Sequence, residues 1–240
     1  MATYNGEKYI REQLDSVLSQ LDDQDEIIII DDCSTDNTFE ILSSYSDTRI
    51  RLFKNDKNMR HVKTFGKAMG LVQNDFVFLV DQDDVWKKDR VAIFKQKFRE
   101  NPKVELITSN FYCIDGNGND IDNTLNKVSP KDSEKYSKNI KNIFLGKIGY
   151  FGCAMAFKRD LLPITLPIPD YIEAHDLWIA MIANLRKTNW HIEDKTLYHR
   201  MHGNNASDLK RKLTVKLLAR VNLAKAYYTI ILRNKRFTSK

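Results

Sequence analysis

Cysteine is scarce and scattered. Cys33, Cys113 and Cys153 are odd in number, far apart and without metal-ligand spacing, which excludes a disulfide framework and a cysteine-held metal site and suits a reducing compartment. Glycine is thin at the start, with Gly6 alone in the first sixty residues, so no Gly-rich phosphate loop stands there. No apolar run reaches the ~18 residues of a membrane span. Met1 leads directly into Thr3-Tyr4-Asn5-Gly6 with no secretory leader in view, and the expectation is a cytoplasmic protein. Repeats and low-complexity segments are absent as well. Acid is missing only locally: Leu209 to Lys240 holds ten Lys and Arg and no Asp or Glu. Those ten cations exceed the chain's net +6 by four, so the rest of the chain is net −4. A mildly acidic body with a basic tail points to a polyanionic partner surface.

The hydrophobic content is 42% over 240 residues, enough for one large domain or two lobes sharing a core. The most informative stretch is Phe76-Val77-Phe78-Leu79-Val80-Asp81-Gln82-Asp83-Asp84. Five apolar residues predict a buried strand, and ligands of open α/β sheets collect beyond the carboxyl ends of such strands. Three acids there repel one another unless a cation sits among them. Oxygen ligands suit a hard divalent ion, Mn²⁺ or Mg²⁺, which can also hold phosphates. A lone acidic turn is more simply a solvated one, but a second strand, Glu26–Ile30, also ends in acids, Asp31 and Asp32.

Elsewhere the pattern alternates. The spacing predicts helices over 7–21, 38–44, 63–71 and 87–99, and strands over 26–30, 50–53, 76–80 and 104–108. That alternation predicts a parallel sheet covered on both faces. Asp115 to Asp120 reads as a turn, residues 124–138 as a loop, 139–145 as a short helix and 150–157 as a strand. A helix opens at Ala174-His175-Asp176-Leu177-Trp178, and strands follow at 190–193 and 196–201. In the tail Leu213, Leu217, Val221, Ala224, Tyr228 and Ile231 recur every three or four residues among the basic positions. Two readings stay open: an amphipathic helix on an anionic membrane surface, or a helix packed on the domain with a solvated basic face. No recognition motif accompanies the charge, so nucleic acid is not an expected partner.

Five motifs taken in order resemble the bacterial family 2 glycosyltransferases of the GT-A fold. Thr3-Tyr4-Asn5-Gly6 resembles the turn after the family's first strand, Asp31-Asp32-Cys33-Ser34-Thr35-Asp36 its Asp-Asp-Gly-Ser-Thr-Asp element, and Asp81-Gln82-Asp83-Asp84-Val85-Trp86 its metal-binding stretch. His175-Asp176-Leu177-Trp178 is similar to the motif that supplies the catalytic base, and Tyr198 to Asn205 to the Tyr-Arg-x-His-x-x-Asn ending. The tone is nearest the rhamnosyltransferase-like branch that builds cell-surface polysaccharides. The resemblance covers residues 2–205. It departs at Cys33 and at Arg60, each standing where glycine is usual, and at the first strand, of which only Met1-Ala2-Thr3 is present.

The resemblance implies an α/β fold of the GT-A class, a Rossmann-like, mostly parallel central sheet flanked by helices, with a shortened first strand. Residues 1–110 would bind the nucleotide sugar, 111–205 the acceptor, and 206–240 would form a basic amphipathic helical tail. It implies an inverting, metal-dependent transferase using a UDP- or dTDP-sugar, dTDP-rhamnose included, and a glycan or lipid-linked acceptor at the inner face of the plasma membrane. Asp81 and Asp83 would hold Mn²⁺ or Mg²⁺, with His202 a third ligand, a diphosphate contact or a structural strand-end histidine. Thr3, Tyr4, Asp32, Arg60 and Asp81 would bind the donor, Asp32 through a pyrimidine N3–H. Asp176 would be the general base, with a first-turn helix acid as the simpler reading. Gly152, Cys153 and Trp178 would face the acceptor, Trp178 as a stacking platform or else a core residue. His61, His175, His191 and His199 are taken as surface or packing residues. The competing functions are a sugar nucleotidyltransferase and a non-catalytic carbohydrate- or membrane-binding subunit.

Overall fold

A computed structural model describes residues 1–122, 125–202 and 213–238. The chain runs β1 (Ala2–Thr3), α1 (Ile10–Leu18), β2 (Ile27–Asp31), α2 (Thr38–Ser43), β3 (Ile50–Lys54), α3 (Arg60–Met69), β4 (Phe76–Phe78), β5 (Val85–Trp86), α4 (Arg90–Glu100), β6 (Leu106–Ile114), β7 (Asp120–Ile121), α5 (Tyr136–Leu145), β8 (Met155–Lys158), α6 (Leu162–Thr165), α7 (His175–Arg186), β9 (Asn189–Arg200) and α8 (Leu213–Thr238).

β1, β2 and β3 form a parallel sheet in that order. All five residues of β2 are buried, as expected of a parallel strand covered on both faces. β1 is only two residues long, with Ala2 opposite Ile30 and Thr3 opposite Asp31. The second sheet has the order β4-β8-β6-β9-β5, with β7 on β6, and is mixed: β6 and β9 run parallel and the other pairs are antiparallel. β6 crosses residue 110 without a break, so the expected division between donor and acceptor halves falls inside one strand. The two strands expected over 190–201 are one, β9, whose register against β6 shifts twice. Residues 150–154 are not strand: a 3₁₀ turn over Gly152–Ala154 precedes β8.

The middle of α7, Trp178 through Asn184, is buried on every face, so that stretch lies in the core rather than on it. α8 is one continuous helix of 26 residues. It buries Ala226 and Ile230 and leaves Leu217, Val221, Tyr228 and Leu232 exposed. No described helix is long and apolar enough to cross a membrane.

Two departures from glycine keep glycine's backbone. Cys33 has φ 69° and Arg60 φ 65°, the left-handed region that costs an L side chain roughly 1–2 kcal/mol. The turn shape is therefore retained and the side chain carries the strain. Arg60 is exposed at the start of α3.

Candidate active site

Two strands bring carboxylates to neighbouring ends. At the end of β2, Asp31 is enclosed by donors: Thr3 Oγ1 at 3.1 Å, Ser34 N at 3.0 Å and Ser34 Oγ at 2.5 Å. Asp32 accepts from Asn55 Nδ2 at 2.7 Å and from the Met59 amide at 2.8 Å, both on Oδ1. These bonds tie the β2 end to the loop before α3. Thr3 is buried, while Tyr4 is half exposed.

Beyond β4 the chain turns through Asp81-Gln82-Asp83-Asp84. The turn is held from three sides. Gln13 of α1 donates to the Asp81 carbonyl at 2.7 Å. Gln82 exchanges two bonds with the Tyr4 backbone, at 2.8 and 3.0 Å, and so ties the two strand ends together. Arg200 at the end of β9 donates its amide to Asp84 Oδ1 at 3.0 Å and its Nε to the Asp83 carbonyl at 2.9 Å.

Charge is crowded here. Burial, and then repulsion from Asp84 and Asp83, push the Asp81 carboxyl up to about 8. Asp83 is raised by burial and by Asp84, against the pull of His202, whose Nε2 lies 2.9 Å from Asp83 Oδ2. Asp84 behaves oppositely: burial works against its charge, but His199 at 2.9 Å and the Arg200 amide outweigh it and hold the carboxyl low. His199 is pushed up to about 9; burial opposes the proton and Asp84 retains it. The buried Asp84 and the half-buried His199 thus form an ion pair. Among the described residues Asp84 Oδ2 has no hydrogen-bond partner.

The residues fit a hard divalent cation at Asp81 and Asp83. Two acids with ionisation suppressed by burial and by each other gain most from an adjacent cation, and carboxylate oxygens with one imidazole suit Mn²⁺ or Mg²⁺. Among the described residues one trio, Asp84, Cys153 and His199, places its ligating atoms within 4.8 Å of one another, and Asp81, Asp83 and His202 do not close to that degree. The closed trio is satisfied without an ion: His199 is protonated against Asp84, and burial pushes the Cys153 thiol well up, keeping its proton.

Asp176 lies in the first turn of α7, half-buried, with Oδ1 accepting from the Leu177 amide at 2.7 Å. Burial raises its carboxyl, and its charge is felt at Asp81, so the α7 start and the acidic turn share one site. Gly152 is fitted against that start. A Cβ added there would lie 3.2 Å from His175 Nε2 and 3.7 Å from Asp176 Cβ.

Two expected acceptor contacts are corrected. Trp178 is 1% exposed, donates Nε1–H to the Thr165 carbonyl at 3.0 Å and packs under Arg233; it is a core residue and presents no platform. Cys153 is also 1% exposed, its Sγ 3.8 Å from His199 Nδ1, so its thiol lies beneath the acidic turn rather than toward an acceptor. Gly203, Asn204 and Asn205 of the last motif lie outside the described residues.

Sequence reasoning missed His199, Arg200 and Gln82. It also passed over Arg90, whose buried guanidinium donates to the Cys153 carbonyl at 2.6 Å and to Thr196 Oγ1, between the rings of Trp86 and Phe94. The available signal was position: His199 and Arg200 end a strand beside the acidic strand end. His175, expected at the surface or in packing, is a packing residue. It stacks on Phe65 at 4.2 Å, neither ring nitrogen has a hydrogen-bond partner among the described residues, and burial pushes it down to about 3, so it is neutral.

The model of the family described as "Glycosyl transferase family 2" matches residues 1–163. An uncharacterized glycosyltransferase of Methanocaldococcus jannaschii is 30% identical over 191 residues, covering 77% of this chain and 63% of its own length. A dTDP-rhamnosyl transferase, RfbG, of Shigella flexneri is 28% identical over 228 residues, covering 85% and 72%. Among solved structures, S. aureus TarS 1–349 in complex with UDP-GlcNAc superposes with a TM-score of 0.69 at 19% identity, over 98% of this chain and 71% of that one. A mannosyltransferase of Pyrobaculum calidifontis in complex with GDP-Man and Mn²⁺ gives 0.58 at 17% identity, over 99% and 73%. At those identities the likeness is one of fold, and the chain spans about two thirds of the length of the relatives it matches. By the match over residues 1–163, and with the acids arranged as described, this chain belongs to glycosyl transferase family 2.

Proposed function

We propose that the chain is an inverting, divalent-metal-dependent transferase that moves a sugar from a UDP- or dTDP-sugar to a growing cell-surface polysaccharide or a lipid-linked glycan. The carrying observation is the crowding of Asp81 and Asp83 at a strand end within the electrostatic reach of Asp176. A relative named a dTDP-rhamnosyl transferase and another named for UDP-Glc and a GlcNAc-diphosphoundecaprenol acceptor support both the donor class and the acceptor class.

A bound cation would neutralise charge developing on the leaving diphosphate. Asp81, Asp83 and His202 would hold it. Thr3 and Tyr4 line the base pocket, and Asp32 receives the pyrimidine N3–H. Asp176 removes the proton from the acceptor hydroxyl as that oxygen attacks the anomeric carbon from the face opposite the leaving group. Its raised carboxyl is a better base than an ordinary aspartate, and the helix start holds it in place. The exposed apolar residues of α8, interleaved with Lys225, Lys235 and Arg236, suit a peripheral position on an anionic membrane. The chain would then work at the cytoplasmic face, where lipid-linked acceptors lie.

A thermal-shift screen of UDP-, dTDP- and GDP-sugars with and without Mn²⁺ tests the reading, since a ligand that binds the native state raises its apparent stability. A shift with one pyrimidine nucleotide sugar that needs Mn²⁺ is expected. No shift with any donor, or release of pyrophosphate from a nucleoside triphosphate and a sugar phosphate, contradicts it.

A further inference from the structure

A cavity of about 560 Å³ lies between the end of α4, residues 130–136 and the turn from α7 into β9. It is remote from the acidic turn. β9 runs from Asn189 at this cavity to Arg200 at the turn, eleven residues on, and at ~3.3 Å per residue the two lie on the order of 35 Å apart. The size is that of a ligand site rather than a packing gap. Polar and charged side chains line it together with two aromatic rings, Tyr136 and Trp190.

The charge here is unbalanced. Lys103, Lys131 and Lys187 line the cavity and are exposed, and none of them forms an ion pair among the described residues. Of the two acids in the lining, Glu100 is already held by Lys97 Nζ at 3.1 Å and Gln96 Nε2 at 2.8 Å. That leaves Glu134 against three cations. Lys187 also stands in a strained backbone. It ends α7 with φ 60°, the left-handed position that helices usually give to glycine, so a cation is kept where glycine would fit without strain. The buried side of the cavity is under-satisfied as well. Asn189 is 3% exposed; its Nδ2 lies 3.1 Å from His191 Nε2, while its Oδ1 has no hydrogen-bond partner among the described residues. A buried carboxamide oxygen without a donor is unfavourable. Trp190, the next residue of β9, is half-buried against the Phe94 and Phe98 part of the core, with Lys97 over its ring at 5.7 Å.

We propose that this cavity binds a segment of an acidic oligosaccharide, a chain bearing uronate carboxylates, at a site separate from sugar transfer. The three lysines receive the carboxylates. A sugar ring lays its apolar C–H face on Trp190 or Tyr136, and its hydroxyls meet Asn101 and the under-satisfied Asn189. A nucleotide or a free phosphate fits less well. No arginine is in the lining, and arginine is the side chain that grips phosphate through two bonds; a free phosphate would also leave both rings unused. The inference takes the ligand's class from the proposed action on a cell-surface glycan, and to that extent rests on it. A growing glycan held here stays at high local concentration beside the acidic turn between transfers.

The chain has three tryptophans, and Trp86 and Trp178 are buried, so a ligand-induced change in tryptophan emission reports on Trp190. The test titrates tetragalacturonate into the full chain, beside maltotetraose, UMP and inorganic pyrophosphate. Tetragalacturonate is expected to change the emission saturably and to weaken with added salt; maltotetraose is expected to bind about tenfold more weakly, as three surface ion pairs together allow. Lys131→Glu is expected to weaken the uronate about fivefold and Lys187→Gly about threefold. Lys187→Gly should do so while Tm holds or rises, because glycine relieves the left-handed cap; a merely structural lysine would not lose binding as the fold gains stability. Neither variant is expected to alter the Mn²⁺-dependent Tm shift with a nucleotide sugar. No saturable response to the uronate, an equal response to maltotetraose, tighter binding of UMP or pyrophosphate, or unchanged affinity in both lysine variants would overturn the proposal. Uronate binding without any nucleotide-sugar shift would strike the donor reading and leave this site standing, and the reverse would strike this site alone.

Discussion

Acids gather at two strand ends, and the protein treats them in opposite ways. At the end of β2, every bond described to Asp31 and Asp32 is a donor supplied by the chain: hydroxyls, amides and a carboxamide. At the end of β4, Asp81 and Asp83 are crowded by burial and by Asp84; Asp84 is held low by His199 at 2.9 Å, while Asp83 stays raised although His202 lies 2.9 Å from it. The first corner is shaped by its own hydrogen bonds, both of those described to Asp32 falling on Oδ1, and Asp32 is there the proposed acceptor for the pyrimidine N3–H. The second keeps Asp81 and Asp83 raised despite His202 and His199, and it is the corner for which a bound cation is proposed. Family membership alone would not separate these roles; the hydrogen bonds do.

The comparison can be broken most severely at the base. Asp176→Asn is expected to keep donor binding and lower transfer by roughly 10²–10⁴-fold, measured as sugar transfer beside nucleotide-induced Tm shift. Normal transfer would remove Asp176 from the mechanism. Next in size is the buried pair. Asp84→Ala leaves His199 charged and unpaired in the interior and is expected to cost about 3–5 kcal/mol, read by denaturant unfolding. A change near zero would mean that His199 loses its proton without cost and that the pair holds nothing.

A pH series sharpens the contrast. Asp81 and His199 both have folded values raised, to about 8 and about 9. A raised group binds its proton more tightly in the folded state, so its contribution is present below the unfolded value and fades as pH rises toward the folded one. Without a divalent ion, stability is expected to fall from about pH 7 to 9, above the range in which the neutral His175 and His191 act in the opposite sense, and Mn²⁺ is expected to flatten that fall by taking the place of the proton at Asp81. A metal-free profile flat through this range contradicts the crowding. The smallest effect lies at the first corner: Cys33→Gly relieves a left-handed backbone and is expected to stabilise by about 1 kcal/mol, a rise of a few degrees in Tm.

Much of this was legible in the sequence, and the reason is local. Ile27–Ile30 and Phe76–Val80 are short apolar runs ending in acids, and such runs identify strands and their ligand-bearing ends without tertiary information. The helices at Ile10, Thr38, Arg90 and His175 announced themselves by spacing. What was not legible depended on contacts between distant segments. His199 acts through Asp84, 115 positions away, and nothing in Leu197-Tyr198-His199 marks a buried imidazolium. Trp178 was ambiguous because a tryptophan next to a catalytic motif looks the same whether it faces the cleft or the core; the middle of α7 proved buried on every face. Cys33 and Arg60 looked like breaks in the turn, yet the backbone kept its left-handed shape, because the hydrogen bonds of Asp31 and Asp32 specify the turns around them.

The central claim is that Asp81 and Asp83 hold a divalent cation against a donor diphosphate. Calorimetric titration of Mn²⁺ into the chain with UDP or dTDP present, beside the Asp83→Ala variant, tests it most directly. The account predicts one cation per chain, bound more tightly with nucleotide than without, and loss of that binding in the variant. Equal binding in both proteins, or Mn²⁺ affinity indifferent to nucleotide, would contradict it.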